Sequence, residues 1–229
     1  AFEGVNRDDI LCGNGAAELI NAYCGAVRPK TALEPAPTIS EYALGLAQVG
    51  CRVKPYYLTP DRDFALDSHF PDYLTEILPE AVFLCNPNNP TGMLIHPAVL
   101  KDILDVCREN RIRLFVDECF LDLSDDGQSM KGYLAEYPNL FILKAFTKSY
   151  GMAGIRLGYC LCADRELLKA MSRTVQPWNV SGLAQAAGLA ALDEGDFLAK
   201  TKALIQTERP WLKEKLEAFG FRVFPSQVN

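Results

Sequence analysis

Histidine is scarce: the 229-residue chain carries two, His69 and His96. Its eight cysteines are scattered singly, except for Cys160 and Cys162 in the alternating apolar run GYCLC, and no C-x-x-C occurs. That combination speaks against a metal site, which needs clustered His, Cys and carboxylate ligands. Lone cysteines used as small core residues suit a reducing compartment, so a cytoplasmic location is expected. Basic residues are outnumbered, 23 against 29 acidic, for a net charge of −6. A nucleic-acid partner is therefore not expected. No apolar run approaches the roughly 18 residues of a membrane span. The opening AFEGVNRDDI lacks the basic start and apolar core of a signal peptide. Internal repeats, low-complexity runs and flexible linkers are also missing.

The chain does contain apolar strand patterns alternating with helical ones. Strands are expected at residues 81–85, 113–117, 140–144 and 158–162, with a shorter one at 52–57. Helices are expected at 16–27, 41–49, 97–110, 164–174 and 180–192. Pro97 fits a first helical turn. Residues 194–219 read as one long amphipathic helix that Pro210 should kink or interrupt. Alternation of this kind predicts an α/β fold, a three-layer, mostly parallel sheet with helices on both faces.

Three segments stand out. In FILKAFTKSYGMAGIRLGY, residues 141–159, an apolar strand leads into a loop carrying Lys148, with Arg156 eight residues on. An amine beside a buried strand can form a Schiff base with an aldehyde cofactor, and a nearby guanidinium can hold that cofactor's phosphate. A solvated surface lysine is the bland alternative. In FLCNPNNPTG, residues 83–92, an apolar run stops at a turn offering the amides of Asn88 and Asn89, either as ligands at a strand's C-terminal edge or simply as turn residues. In IRLFVDECF, residues 112–120, Asp117 and Glu118 close an apolar strand, either as caps or as partners for a bound cation.

Taken together, GNGAAELI from Gly13, NPNNPTG from Asn86, VDE from Val116 and the FTK…R segment from Phe146 resemble, in order and spacing, the class I/II aminotransferase family of fold-type I pyridoxal phosphate enzymes. The resemblance extends over essentially all 229 residues. It is nearest the branch that holds threonine-phosphate decarboxylase and histidinol-phosphate aminotransferase. It implies a large cofactor-binding domain over residues 1–193. Residues 194–229 would be a linker helix and the start of a small C-terminal domain that is largely absent, as is an N-terminal arm.

Residue by residue, the resemblance implies that Lys148 carries the pyridoxal 5′-phosphate and moves protons, and that Asp117 pairs with the pyridine nitrogen. Asn89 would donate to the ring's O3′, with Asn88 its closest competitor. Gly15, Ala16 and Ala17 would offer backbone N–H groups to the phosphate at a helix start, with Thr147 and Arg156 adding a hydroxyl and a guanidinium. The implied partners are a small phosphorylated amino-acid or amine substrate and a second copy of the chain in a homodimer. The chain departs from the family pattern at three positions. Ala145 stands where the family has Ser or Thr. Ile39 stands where an aromatic residue covers the ring, leaving Tyr42 the nearest aromatic. Phe120 stands where aminotransferases carry Tyr. Phe120 and the QPWNV segment at 176–180 favour the decarboxylase branch. An aminotransferase is the alternative, and a non-catalytic cofactor-binding effector module of a regulator is an alternative of another class.

Overall fold

A computed structural model describes residues 2–229. Seven strands form one sheet: β1 (Ile10–Gly13), β2 (Thr31–Ala36), β3 (Arg52–Tyr57), β4 (Ala81–Cys85), β5 (Arg113–Asp117), β6 (Leu140–Ala145) and β7 (Gly158–Cys162). Their order across the sheet is β1-β7-β6-β5-β4-β2-β3. β3, β2, β4, β5 and β6 run parallel to one another, while β7 is antiparallel to both of its neighbours, β6 and β1. The helices are α1 (Ala16–Val27), α2 (Glu41–Gln48), α3 (Phe70–Ile77), α4 (Pro97–Glu109), the single turn α5 (Phe146–Ser149), α6 (Arg165–Ser172), α7 (Gly182–Asp193) and α8 (Phe197–Ala218).

The three-layer arrangement follows from the period-2 geometry of fully buried strands. In β4, β5 and β6, Val82, Leu84, Leu114, Val116, Leu140 and Ile142 point to one face and join a core with α3 and α4. The alternate residues, Phe83, Cys85, Phe115, Phe141 and Leu143, point to the other and pack under α1, α2 and α6. Because both faces are covered, these strands read as continuous apolar runs rather than alternating ones. The rings of Phe83, Phe115 and Phe141 stack in a row across the three strands, with centroids 4.8 and 4.9 Å apart.

All five expected strands form, and the expected helices appear with end shifts of at most three residues, α1 matching at both ends. β1, β2 and α3 were not expected. β2 carries Pro35, which the sheet tolerates for a structural reason. The ladder to β4 pairs only Ala32 and Leu33, so Pro35 withdraws no N–H from that side. Lys148 sits not in a loop but in the helical turn α5. α8 also differs from expectation, running through Pro210 without a break. Gln206, whose carbonyl loses its partner there, is exposed to water, as is Pro210 itself. No residue of α8 is fully buried, but Leu198, Thr201, Lys202, Ile205, Arg209 and Leu216 are half-buried along one face, in keeping with the amphipathic reading. Among the described residues no helix is long and apolar enough to cross a membrane.

Candidate active site

The C-terminal ends of β4, β5 and β6 open into a cleft of about 250 Å³. Asp117 is the last residue of β5, held in register between Cys85 of β4 and Leu143 of β6. Its carboxylate is 4% exposed. Oδ1 accepts from the backbone N–H of Cys119 at 2.9 Å, and Oδ2 accepts from the hydroxyl of Tyr42 at 2.7 Å. Burial raises the Asp117 pKa, against the lowering effect of these donors. A carboxylate in this position gains most from a cation entering the cleft.

Lys148 is exposed, and its Nζ stands 5.3 Å from the centroid of the Phe120 ring. It lines two adjoining spaces. One is the Asp117 cleft, and the other is a cavity of about 320 Å³ bounded by Asn88, Asn89, Gly92 and Phe120. The two asparagines separate cleanly. Asn88 is buried, and its amide donates to Pro37 O and Thr91 Oγ1 while its oxygen accepts from Thr38. It therefore clamps the turn. Asn89 is exposed and lines both spaces.

The far end of the cleft is built by the start of α1. Gly15 is its N-cap at φ +82°, with no side-chain cap, and Ala16 and Ala17 line the cleft. The φ of +82° favours glycine at 15, and a Cβ there, 2.5 Å from Arg156 Nη2, would push the guanidinium from its present place. Gly158 serves the same packing, because a Cβ there would meet Ala16 N at 2.8 Å. Helix-start N–H groups, the Arg156 guanidinium and the Thr147 side chain thus share one wall. A phosphate suits that donor set.

The structure therefore brings Gly15, Ala16, Ala17, Asn89, Asp117, Thr147, Lys148 and Arg156 to one locality. Ile39 lines the cleft as well, an aliphatic wall where the family has an aromatic ring. Tyr42 does not line it. Its ring is fully buried against Phe83 and Phe115, and its role is the bond to Asp117. The sequence reading placed an aliphatic contact at Ile39 and named Tyr42 only as the nearest aromatic, without foreseeing its bond to Asp117. Cys85, Cys119 and Glu41 also line the cleft and were not anticipated.

Residues 3–229 match the family described as Aminotransferase class I and II. The chain is 34% identical over 228 residues to threonine-phosphate decarboxylase of Salmonella typhimurium, covering 96% of this chain and 60% of that protein. It is 33% identical over 231 residues to histidinol-phosphate aminotransferase of Shouchella clausii, covering 98% and 61%. Among solved structures, the histidinol-phosphate aminotransferase of Clostridium acetobutylicum superposes with a TM-score of 0.87 at 28% identity, over 96% of this chain and 66% of that one. The chain spans about three-fifths of the length of the curated relatives it matches.

Proposed function

Since this chain belongs to the class I and II aminotransferases, whose cofactor is pyridoxal 5′-phosphate, we propose that the full-length protein is a lyase of the threonine-phosphate decarboxylase kind, acting on a small phosphorylated amino acid. The observation that carries the reading is Phe120, against the Lys148 amine at the mouth of the Asp117 cleft. A phenyl ring there leaves Asn89 as the amide available to the cofactor's O3′. The 34% identity to a threonine-phosphate decarboxylase supports the same branch.

The cleft's residues fit the cofactor. Gly15, Ala16 and Ala17 offer N–H groups to a phosphate, with Thr147 and Arg156 beside them. Asp117 offers a buried carboxylate to a protonated ring nitrogen. Lys148 would hold the aldehyde carbon and, in the lyase reaction, would deliver a proton to the substrate's α-carbon in place of the lost carboxylate. When bound, the cofactor supplies an electron sink for whichever bond at that carbon is broken. Substrate orientation decides which bond that is.

The homodimer belongs to this reading as well. α7 is apolar nearly all round but buries only Ala184, Gly188 and Ala191. Leu183 and Leu189 are 80% and 69% exposed, and Trp178 just before the helix is 96% exposed. A second copy covering these side chains would remove them from water. Sedimentation at micromolar and nanomolar concentration tests this, and a fully active monomer would refute it.

A second reading, an aminotransferase, is favoured by the 33% identity to histidinol-phosphate aminotransferases. Full-length protein incubated with O-phosphothreonine should release CO₂. Glutamate formed from histidinol phosphate and 2-oxoglutarate, with no CO₂ from phosphothreonine, would replace the lyase reading by the transferase one.

A further inference from the structure

Asp117 sits in an apolar setting at the end of three buried strands, and such a carboxylate tends to take up a proton and turn toward any available partner. Two donors oppose this, one on each oxygen: Cys119 N–H on Oδ1 at 2.9 Å and Tyr42 O–H on Oδ2 at 2.7 Å. The Cys119 donor comes with the chain's own turn. The Tyr42 donor is brought from α2, 75 residues away in sequence. Its ring cannot swing aside, being fully buried with its centroid 5.7 Å from Phe83 and 5.8 Å from Phe115. Burial and the neighbouring carboxylate push the phenol pKa well above its ordinary value, so the hydroxyl keeps its proton and stays a donor.

We propose that Tyr42 is a positioning residue for the cofactor: its hydroxyl pins Asp117 in one orientation and in the ionised form, so that the carboxylate's remaining lone pairs face the cleft. This rests on the reading of the cleft as a pyridoxal phosphate site. It adds a residue that touches neither cleft nor cofactor. Other titratable or charged groups around Asp117 are Glu41 on α2, Cys85 at the end of β4 and Cys119 just past β5, with Lys148 and Arg156 across the cleft. Cys85 and Cys119 have thiol pKa values raised by burial, with Asp117 adding to the rise, so both stay neutral. Among the described residues Tyr42 is therefore the one side chain donating a strong O–H to Asp117.

The test measures pyridoxal 5′-phosphate affinity of the full-length protein by equilibrium dialysis between pH 5 and 8. The variants are Tyr42→Phe, Asp117→Asn and the double variant. Tyr42→Phe should weaken binding at neutral pH on the order of tenfold, the scale of one hydrogen bond to a charged group. The acid limb of its affinity curve should also move to higher pH, because the ionised form has lost a donor. In the Asp117→Asn background the same change should add little, since Tyr42 acts through Asp117. Wild-type affinity and pH profile in Tyr42→Phe, beside a crippled Asp117→Asn, would overturn the proposal and leave the site reading standing. Wild-type binding in Asp117→Asn would overturn both. Should Tyr42→Phe fail to fold, carbon-13 NMR of aspartate carboxyls in the wild-type protein decides. Asp117 ionised at pH 7 supports the pinning, and a neutral carboxyl there overturns it.

Discussion

Lys144 and Lys148 are four residues apart, and their surroundings differ in almost every respect. The side chain of Lys144, the last residue but one of β6, is 5% exposed, with Asp122 at 2.9 Å and Glu3 at 3.8 Å. Asp122 also accepts from Ser149, and Glu3 accepts from Lys131 at 2.8 Å and from the Tyr159 hydroxyl. Each charge in this cluster is answered by another within the chain. Lys148, four residues on in α5, is exposed, and among the described residues it meets a phenyl face rather than an acid. Asn89 and Arg156, which line the same cleft, are also exposed, and Arg156 donates to the Ala153 carbonyl at 3.0 Å rather than to an acid. A charge that the protein satisfies internally serves the fold, whereas one kept unsatisfied beside a cavity is available to a ligand. The same residue type thus has two uses on either side of the β6–α5 junction.

The contrast can be broken most decisively at Lys148. Lys148→Ala should abolish turnover and the borohydride-reducible covalent adduct with pyridoxal phosphate, and leave thermal unfolding close to wild type. Mass spectrometry finding the reduced adduct on Lys144 or any other lysine would break the assignment.

Lys144→Met should do the reverse. Removing one member of a buried ion cluster leaves Asp122 and Glu3 uncompensated, a loss of about 3 kcal/mol in unfolding free energy. Cofactor affinity per folded molecule should change little. Urea unfolding alongside dialysis separates the two effects, and a variant that is stable but unable to bind would blur the distinction.

Glu118 sharpens the comparison because it belongs to the satisfied region yet has one oxygen left over. It is fully buried, Oε1 accepts from Met130 N–H at 2.8 Å, and Oε2 has no partner. Burial raises its pKa to about 7, against the nearby positive charge of Lys144. The folded state then holds this proton more tightly than the unfolded chain does. The stability of the neutral carboxyl is complete below about pH 4.5 and is lost as pH rises through 7. Glu118→Gln should therefore remove a decline on the order of 3 kcal/mol, at about 1.4 kcal/mol per pH unit. Glu34, also raised to about 7, remains in both proteins and cancels in the difference. Parallel stability curves for variant and wild type between pH 5 and 8 would contradict this.

The smallest effect is expected at Phe120. Phe120→Tyr adds a hydroxyl beside the Lys148 amine, able to donate to the cofactor's O3′. The titration midpoint of the visible band should fall by about one pH unit. An unchanged or higher midpoint would remove Phe120 as support for the decarboxylase branch.

Much of this was legible in the chain itself. Asp117, Asn89, Lys148 and Arg156 occur in motifs whose order survives folding, and strands buried on both faces announce themselves as apolar runs. β1 is four residues long, and β2 contains Glu34 and Pro35, so neither shows a period that local reading can detect. The Tyr42–Asp117 bond joins α2 to the end of β5 and has no local signature at all. Nor does the division of labour between Asn88 and Asn89, which depends on the carbonyl of Pro37 arriving from another turn.

The antiparallel strand β7 has a consequence for the order of assembly. Ile10 of β1 pairs with Leu161, and Gly13 pairs with Gly158. β1 must therefore wait for β7, the strand farthest from it in chain order within this sheet, before it has a neighbour. Gly15 and Arg156, which approach each other at the wall proposed to take a phosphate, are separated by the same delay. During synthesis the chain can lay down β2 to β6 as a contiguous parallel block while its anion-binding corner remains in two pieces. Capture of the cofactor would then mark the completion of the sheet rather than seed it.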